Sequence, residues 1–452
     1  PYRGLLLYHG LGSGKTCSSI AIAEGLKNNK EILVFTPASL RDNYIDELKK
    51  CGDFIYIKNQ FWEFININLY PDYLQILSNL LNLPEEYIKE KKGAWLMNKK
   101  EEPNYDKLDF EKQQLINEQI NKMISMKYKF YSYNGMTRKI YNILTQNDTI
   151  NPFNNKVIII DEAHNFISRI VNKITRPTSI SMKLYNYLME SENSKIVMLS
   201  GTPIINYPNE ISIMFNILRG YINGLSFKLN DEKQKYSMNY FEKLFKTNSV
   251  NKHIDFIEYN QKNKQLTIIQ NPFGFVNHET NIKKIKDDSK MNIYELNSKI
   301  IDIFQQNNIN FYNKDNIIRY KALHDNFDEF KKIFINENNT MKNDIMFKKR
   351  IVGLTSYFRS AQEQLMPRYE TSNFVIQKIE MSTFQFGVYE EARINERTQE
   401  SKNKKNKAKK NGANNDDIYG DSVSTYRIFS RAFCNFVFPK PDIIRPMPKL
   451  EE

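Results

Sequence analysis

Four short apolar runs give this chain its frame: Gly4-Leu-Leu-Leu-Tyr8, Glu31-Ile-Leu-Val-Phe35, Lys156-Val-Ile-Ile-Ile160 and Lys195-Ile-Val-Met-Leu199. None alternates between apolar and polar, as a strand with one wet face would. Continuous runs of this length fit parallel strands covered on both faces. The stretches between them are helix-compatible, Cys17 to Leu26 among them. Strands alternating with helices predict an α/β fold, a doubly wound parallel sheet. Residues 1–57 and 127–220 supply its elements, so 1–220 reads as one domain. An insertion at about 58–126 interrupts it, helical by composition, with Trp62, Trp95 and a charged amphipathic run from Asp109 to Met126. It is read as a packed helical pair or as a grip for DNA or a partner. Lys127 to Asn134 returns to a strand pattern, either a plain core strand or one whose Ser132 and Asn134 border a nucleic-acid path.

Beyond 220 the pattern changes. Asp255–Tyr259 and Gln265–Gln270 flank the polar Asn260–Lys264 and predict a hairpin, followed by a turn over Asn271-Pro-Phe-Gly274. Helical stretches near 237–246, 294–306 and 325–335 surround it, so 221–345 reads as an α+β insertion. Residues 346–452 read as a linker and the start of a second lobe, with a helix from Thr383 to Arg397. Ser401 to Lys410 holds six lysines in ten residues, which cannot pack together. A disordered loop is expected at about 400–418, either simply solvated or touching nucleic acid.

The chemistry gathers where the apolar runs end. The first runs into His9-Gly10-Leu11-Gly12-Ser13-Gly14-Lys15-Thr16. Alternate glycines let backbone N–H groups curl around an anion. Lys15 supplies a cation for β- and γ-phosphates, and the Thr16 hydroxyl suits Mg²⁺. The helix that follows would set the phosphates at its N-terminus. The strict pattern wants glycine where His9 stands. The third run ends in Asp161-Glu162-Ala163-His164. Asp161 would hold Mg²⁺, and Glu162 would orient and deprotonate the attacking water. Alone, such a pair is more often a solvated helix start with Asp161 as N-cap, and the phosphate-loop pattern upstream reverses that reading. The fourth run ends in Ser200-Gly201-Thr202-Pro203, where hydroxyls could report the γ-phosphate to the acid pair. The second runs into Thr36-Pro37-Ala38-Ser39-Leu40, and such loops offer amides and hydroxyls to nucleic-acid phosphates.

In order and character these four segments resemble motifs I, Ia, II and III of superfamily 2 helicases. Pro37-Ala38-Ser39-Leu40 and Gly201-Thr202-Pro203-Ile204-Ile205-Asn206 resemble the SWI/SNF-type branch. The helicase-like transcription NTPases of large DNA viruses, the poxvirus early transcription factor large subunit and nucleoside triphosphate phosphohydrolase I, are similar. Arg350–Phe358 and Tyr426–Pro439 add to that likeness. The motif match covers roughly the first 210 residues. The resemblance implies a RecA-like P-loop NTPase lobe, with ATP and Mg²⁺ as cofactors and a motor that moves along or remodels nucleic acid, DNA rather than RNA. It implies a role in viral transcription beside an RNA polymerase complex, in the host cytoplasm, nucleus or virion. Lys15, Asp161 and Glu162 are the catalytic candidates. His164, Ser200, Gly201 and Thr202 would couple hydrolysis to movement, and Thr36, Pro37, Ser39, Ser132 and Asn134 would touch nucleic acid. A nucleic-acid-stimulated ATPase without strand separation and a nucleotide-gated transcription assembly factor are the rival readings. Such proteins carry an adenine-recognition segment upstream and arginines in a glycine-rich motif VI downstream. Neither is found here, so the chain is expected to be part of a longer motor and nearly inactive alone.

Composition adds two constraints. Across 452 residues, 65 Lys and Arg face 52 Asp and Glu, a net +13 with a pI near 9.2. That surplus suits a polyanionic partner, although codon bias toward Lys, Asn and Ile also produces it. No apolar run approaches the length of a membrane span and no signal-peptide pattern opens the chain. Three scattered cysteines (Cys17, Cys51, Cys434) argue for a reducing compartment and against a disulfide framework, and they show no metal-ligand spacing with the five histidines, so no zinc is expected.

Overall fold

The computed structural model describes residues 3–10, 12–26, 30–230, 236–272, 275–277, 282–284, 291–312, 315–358, 372, 375–410 and 428–438. The chain divides into two compact units, Pro1–Ala361 and Gln362–Glu452.

The first unit is built on a six-stranded sheet. Its members are β1 (Gly4–His9), β2 (Glu31–Thr36), β5 (Tyr128–Ser132), β6 (Lys156–Ile160), β7 (Lys195–Leu199) and β15 (Thr355–Phe358), in the order β15-β1-β7-β6-β2-β5. Every neighbouring pair is parallel. Successive side chains alternate between two cores, which explains the unbroken apolar runs. Leu6, Leu33, Ile158, Ile160 and Met198 face α7 (Ala163–Val171), α8 (Ile180–Glu190) and α9 (Glu210–Arg219). Leu7, Val34, Ile159 and Val197 face α1 (Lys15–Leu26) and α2 (Arg41–Cys51). Helix α6 (Arg138–Thr145) follows β5 and is capped by the Thr137 side chain. At Gly4 a Cβ would stand 2.7 Å from the Leu218 backbone, so β1 and α9 meet main chain to main chain and only glycine fits.

The 58–126 insertion is mixed rather than helical. It holds the antiparallel strands β3 (Phe61–Asn66) and β4 (Gly93–Asn98) beside α3 (Tyr73–Leu81), α4 (Glu85–Glu90) and α5 (Phe110–Lys127). Both tryptophans lie on the strands, and Phe64 packs edge-on against Trp95, its cross-strand partner, at 5.3 Å. Buried Gln119 of α5 bonds both main-chain groups of Trp95, at 2.8 and 2.7 Å, which locks the helix to the strand edge.

Residues 221–321 form a second, antiparallel sheet. Long β8 (Tyr221–Asn230) pairs with β10 (Gln265–Gln270), β13 (Asn310–Phe311) and β14 (Ile317–Lys321), and β10 pairs with β9 (Ile254–Asn260) in the expected hairpin. Helices α10 (Met238–Thr247) and α11 (Ile293–Gln306) bury Phe241, Phe245 and Phe304 against it, and Asn292 and Glu295 form a capping box on α11. Strands β11 (Phe275–Asn277) and β12 (Ile282–Lys284) pair separately. Half of the turn over 271–274 lies outside the described residues.

Helices α12 (Phe327–Phe334) and α13 (Asp344–Ile351) then return to the first core through Phe330, Phe334 and Phe347. After them β15 joins the first sheet beside β1, with Leu6 opposite Thr355 and His9 opposite Phe358. Residues 346–358 therefore complete the first domain instead of opening a second lobe. Thr355-Ser-Tyr-Phe358 is a mostly exposed edge strand without an apolar run, so hydropathy does not mark it.

In the second unit α14 (Thr383–Lys410) packs with α15 (Ile428–Asn435). Glu396 accepts bonds from the Ser430 hydroxyl at 2.7 Å and from the Phe429 and Ser430 amides. The run Ser401–Lys410 is the end of α14 rather than a loop. Lysine and alanine are good helix formers, so the run continues the helix. The rest of the predicted loop, 411–418, lies outside the described residues.

Candidate nucleotide site

Strands β1, β7, β6 and β2 end side by side, and all four segments singled out above leave the sheet at that carboxyl edge, where ligands of such sheets bind. The loop after β1 turns on Gly12 (φ 69°) and Gly14 (φ 75°), left-handed conformations that glycine adopts freely. Nothing lies within 4 Å of where a Gly14 Cβ would stand, so the loop faces open space. The Lys15 ammonium donates to the His9 and Gly10 carbonyls, each at 3.0 Å, and the Ser13 hydroxyl donates to the Gly10 carbonyl at 2.5 Å. Lys15 is thus held on weak neutral acceptors that a phosphate could replace. Leu11 lies outside the described residues, and Thr16 opens α1 beside Lys15.

His9 enters this loop only by its backbone. Its ring turns onto β15, with Nε2 2.9 Å from Ser356 Oγ and its edge toward Phe358 at 5.9 Å, while the Gly10 amide donates to the Phe358 carbonyl at 3.0 Å. Expected as a nucleotide contact, the His9 side chain instead fastens the loop to the edge strand. Burial, then the Lys15 charge, pushes its pKa below the ordinary 6.5.

Asp161 and Glu162 stand two strands away. The Asp161 carboxylate accepts the Glu162 amide at 3.0 Å and lies 3.5 Å from the Thr36 hydroxyl. Burial, then the Glu162 charge, raises its pKa, against the pull of those hydrogen bonds and Lys15. Glu162 is left-handed (φ 45°) and is the N-cap residue of α7; the Asp161 N-cap reading does not hold. His164 Nδ1 lies 2.9 Å from Ser200 Oγ and 3.4 Å from the Glu162 carboxylate, and Ser200 Oγ also takes the Thr202 amide at 3.0 Å. A Gly201 Cβ would stand 3.9 Å from Lys15 Nζ, so the Ser200–Thr202 turn touches both the phosphate loop and the acid pair.

Two candidates for nucleic acid belong elsewhere. Thr36 is 1% exposed and turned to Asp161, so it serves the acid pair, and Pro37 is buried. Ser39 and Asn134 are exposed and Ser132 half-buried, with Asn134 Oδ1 held by Arg169 at 3.0 Å. Sequence reasoning passed over Tyr133 between them. Buried at 2% exposure, its hydroxyl donates toward the carbonyls of Asp161 and Glu162, both at 3.1 Å, and braces the turn. Its strand-end place gave no signal, because only the fold brings it to α7. The structure also joins Cys17 to Cys51 in a single disulfide, which the scattered spacing of the cysteines did not foretell. Among the described residues, no helix is long and apolar enough to cross a membrane.

Residues 2–205 match the family model described as type III restriction enzyme, res subunit. The chain is similar to a protein of Acanthamoeba polyphaga mimivirus named as an ATP-dependent RNA helicase, 31% identical over 220 residues, covering 48% of this chain and 30% of that one. It is also similar to a termination factor NPH-I homolog of African swine fever virus, 27% identical over 221 residues, covering 49% of this chain and 23% of that one. Among solved structures, a Sulfolobus solfataricus SWI2/SNF2 ATPase core in complex with dsDNA aligns with 48% of this chain and 31% of its own, at 17% identity and a TM-score of 0.24. Over residues 2–205 the chain is thus similar to helicase-type ATPases. The chain spans less than a third of the length of these two viral relatives.

Proposed function

We propose that this chain is the nucleotide-hydrolysing lobe of a helicase-like motor that uses ATP to move along or remodel nucleic acid, DNA rather than RNA, during viral transcription. One observation carries the reading: a glycine-turned loop presents Lys15 on replaceable carbonyl contacts, beside an Asp-Glu pair on the same sheet edge. Lys15 would neutralise the β- and γ-phosphates. Thr16 and Asp161 would hold Mg²⁺, which when bound draws charge from the phosphate oxygens. Glu162 would hold the attacking water and take its proton. The His164–Ser200 contact would pass the state of that water site to the Ser200–Thr202 turn. Exposed Ser39 and Asn134 on the same edge, and the net +13 charge, support a nucleic-acid track. The relative named as a termination factor supports a setting beside a polymerase.

Lys15→Ala tests the foundation. Titration calorimetry with Mg·ATP should show most of the affinity lost, because charge-assisted phosphate contacts are among the strongest hydrogen bonds. Affinity within about twofold of wild type would place the phosphates elsewhere. Binding of duplex DNA and of RNA by the chain, followed by fluorescence anisotropy over a salt series, tests the track; no measurable binding of either polymer would speak against it.

A further inference from the structure

Cys17 is the third residue of α1, one position past Thr16, and Cys51 closes α2. Their Cα atoms are 5.7 Å apart and their sulfurs are joined across a sequence separation of 34. The link therefore ties the helix that begins in the phosphate loop to the helix entered from the Thr36–Leu40 loop. Both cysteines are half-buried, within reach of a small reagent. Glu47 stands one turn before Cys51, its carboxylate 3.5 Å from Cys17 Sγ. The Cα separation lies inside the range that a bridge spans without backbone movement, so the pair can open and close with the helices in place.

We propose that Cys17 and Cys51 are a reversible thiol–disulfide site that tunes nucleotide binding, closed by a low-molecular-weight disulfide of the glutathione class and opened by its thiol. Glu47 is placed to take the Cys17 thiol proton, leaving a thiolate. That thiolate attacks the reagent disulfide, forms a mixed disulfide and releases one reagent thiolate. Cys51 gives its proton to water and attacks the Cys17 sulfur, which expels the second reagent thiol. Two cysteine thiols lose two electrons and two protons, and one reagent disulfide becomes two thiols. Closed, the bridge holds the first turn of α1, so less order remains to be imposed when a nucleotide binds. This second half rests on the proposed ATP site.

The full chain is equilibrated in glutathione buffers from fully reduced to fully oxidised. Free thiols are trapped by alkylation and the peptides carrying residues 17 and 51 are weighed. Bridging should rise with the oxidised fraction and reverse on reduction, and Mg·ATP should bind about threefold or more tightly to the bridged form. The double variant Cys17→Ser/Cys51→Ser, which forms neither the bridge nor the mixed disulfide, should bind ATP alike in all buffers, with Cys17→Ala/Cys51→Ala as a second pair should serine disturb either helix. Thiols that stay free at every ratio would overturn the site. So would stoichiometric zinc on the isolated reduced protein, since Cys17, Glu47 and Cys51 present ligand atoms within 4.8 Å of one another. Bridging with unchanged affinity would overturn the tuning. Reversible bridging with no ATP binding in either state would instead defeat the proposed function and the tuning together, leaving the thiol chemistry standing.

Discussion

Asp161 shows how function and stability pull apart at a single residue. The fold buries its carboxyl next to a second acid, so the charged form is disfavoured and the pKa sits above the ordinary 3.8. A group raised in this way binds its proton more tightly in the fold, so it costs stability above its folded pKa and the cost fades as pH falls toward 3.8. Asp161→Asn keeps an oxygen for the Glu162 amide while removing the charge. It should leave the chain as stable as wild type or more so, and weaken Mg·ATP binding. Glu162→Gln should bind Mg·ATP normally and lose nearly all turnover, because an amide cannot take the water's proton. Thermal melts and single-turnover hydrolysis of the two variants give the comparison. A less stable Asp161→Asn would mean that the carboxylate is a structural anchor, and normal turnover in Glu162→Gln would move the base elsewhere.

Among the elements, β15 was the hardest to foresee and the most telling. The strands β1, β2, β6 and β7 were legible because burial on both faces leaves no polar alternation, and their chemistry was legible because it follows each run directly. An edge strand carries no such stamp, and Thr355–Phe358 reads as ordinary loop. Trp62 and Trp95 misled for a related reason: a two-stranded pair packed on helices leaves a pattern too short to separate from them. Tyr133 depends on β5 ending beside the turn into α7 and the Cys17–Cys51 link on α1 packing beside α2, which no local pattern encodes. β15 also explains why His9 stands where glycine was expected, since its ring needs Ser356. Ser356→Ala would leave both ring nitrogens of buried His9 unpartnered, at a cost of about 1–3 kcal/mol. Urea unfolding measures it, and Ser356→Thr should recover most of the loss. Because the fold resists protonating His9, stability should fall as pH drops below 6.5, where the unfolded chain takes up the proton, and His9→Gln should flatten that slope. Identical slopes for the two proteins would show that His9 does not set it.

On the scale of the whole first unit, a buried junction ties the α+β sheet to the nucleotide loop. Asp255 of β9, with its side chain fully buried, meets Lys349 at 2.7 Å and Arg350 at 2.8 Å, both on α13. Arg350 also donates to the Ala322 carbonyl at 2.7 Å, and Lys349 to Asn271 and Asn277 at 3.1 and 3.2 Å. Immediately after α13 comes β15, whose Phe358 carbonyl receives the Gly10 amide. An inserted sheet, a helix and the phosphate loop thus share one run of contacts. Removing one partner of a buried ion cluster strands the other charges, so Asp255→Ala should cost about 3–5 kcal/mol. Replacing all three residues by apolar side chains of similar volume should return most of it, because no charge is then left buried. Hydrogen exchange followed by mass spectrometry should locate the loss of protection in β8–β10, α13 and β15, with β6 and β7 little changed, and Mg·ATP affinity should fall with it. If Asp255→Ala lowers protection evenly across both sheets, the junction is part of a single cooperative core. If it lowers protection in β9 alone, the insertion is not coupled to the nucleotide loop by this route.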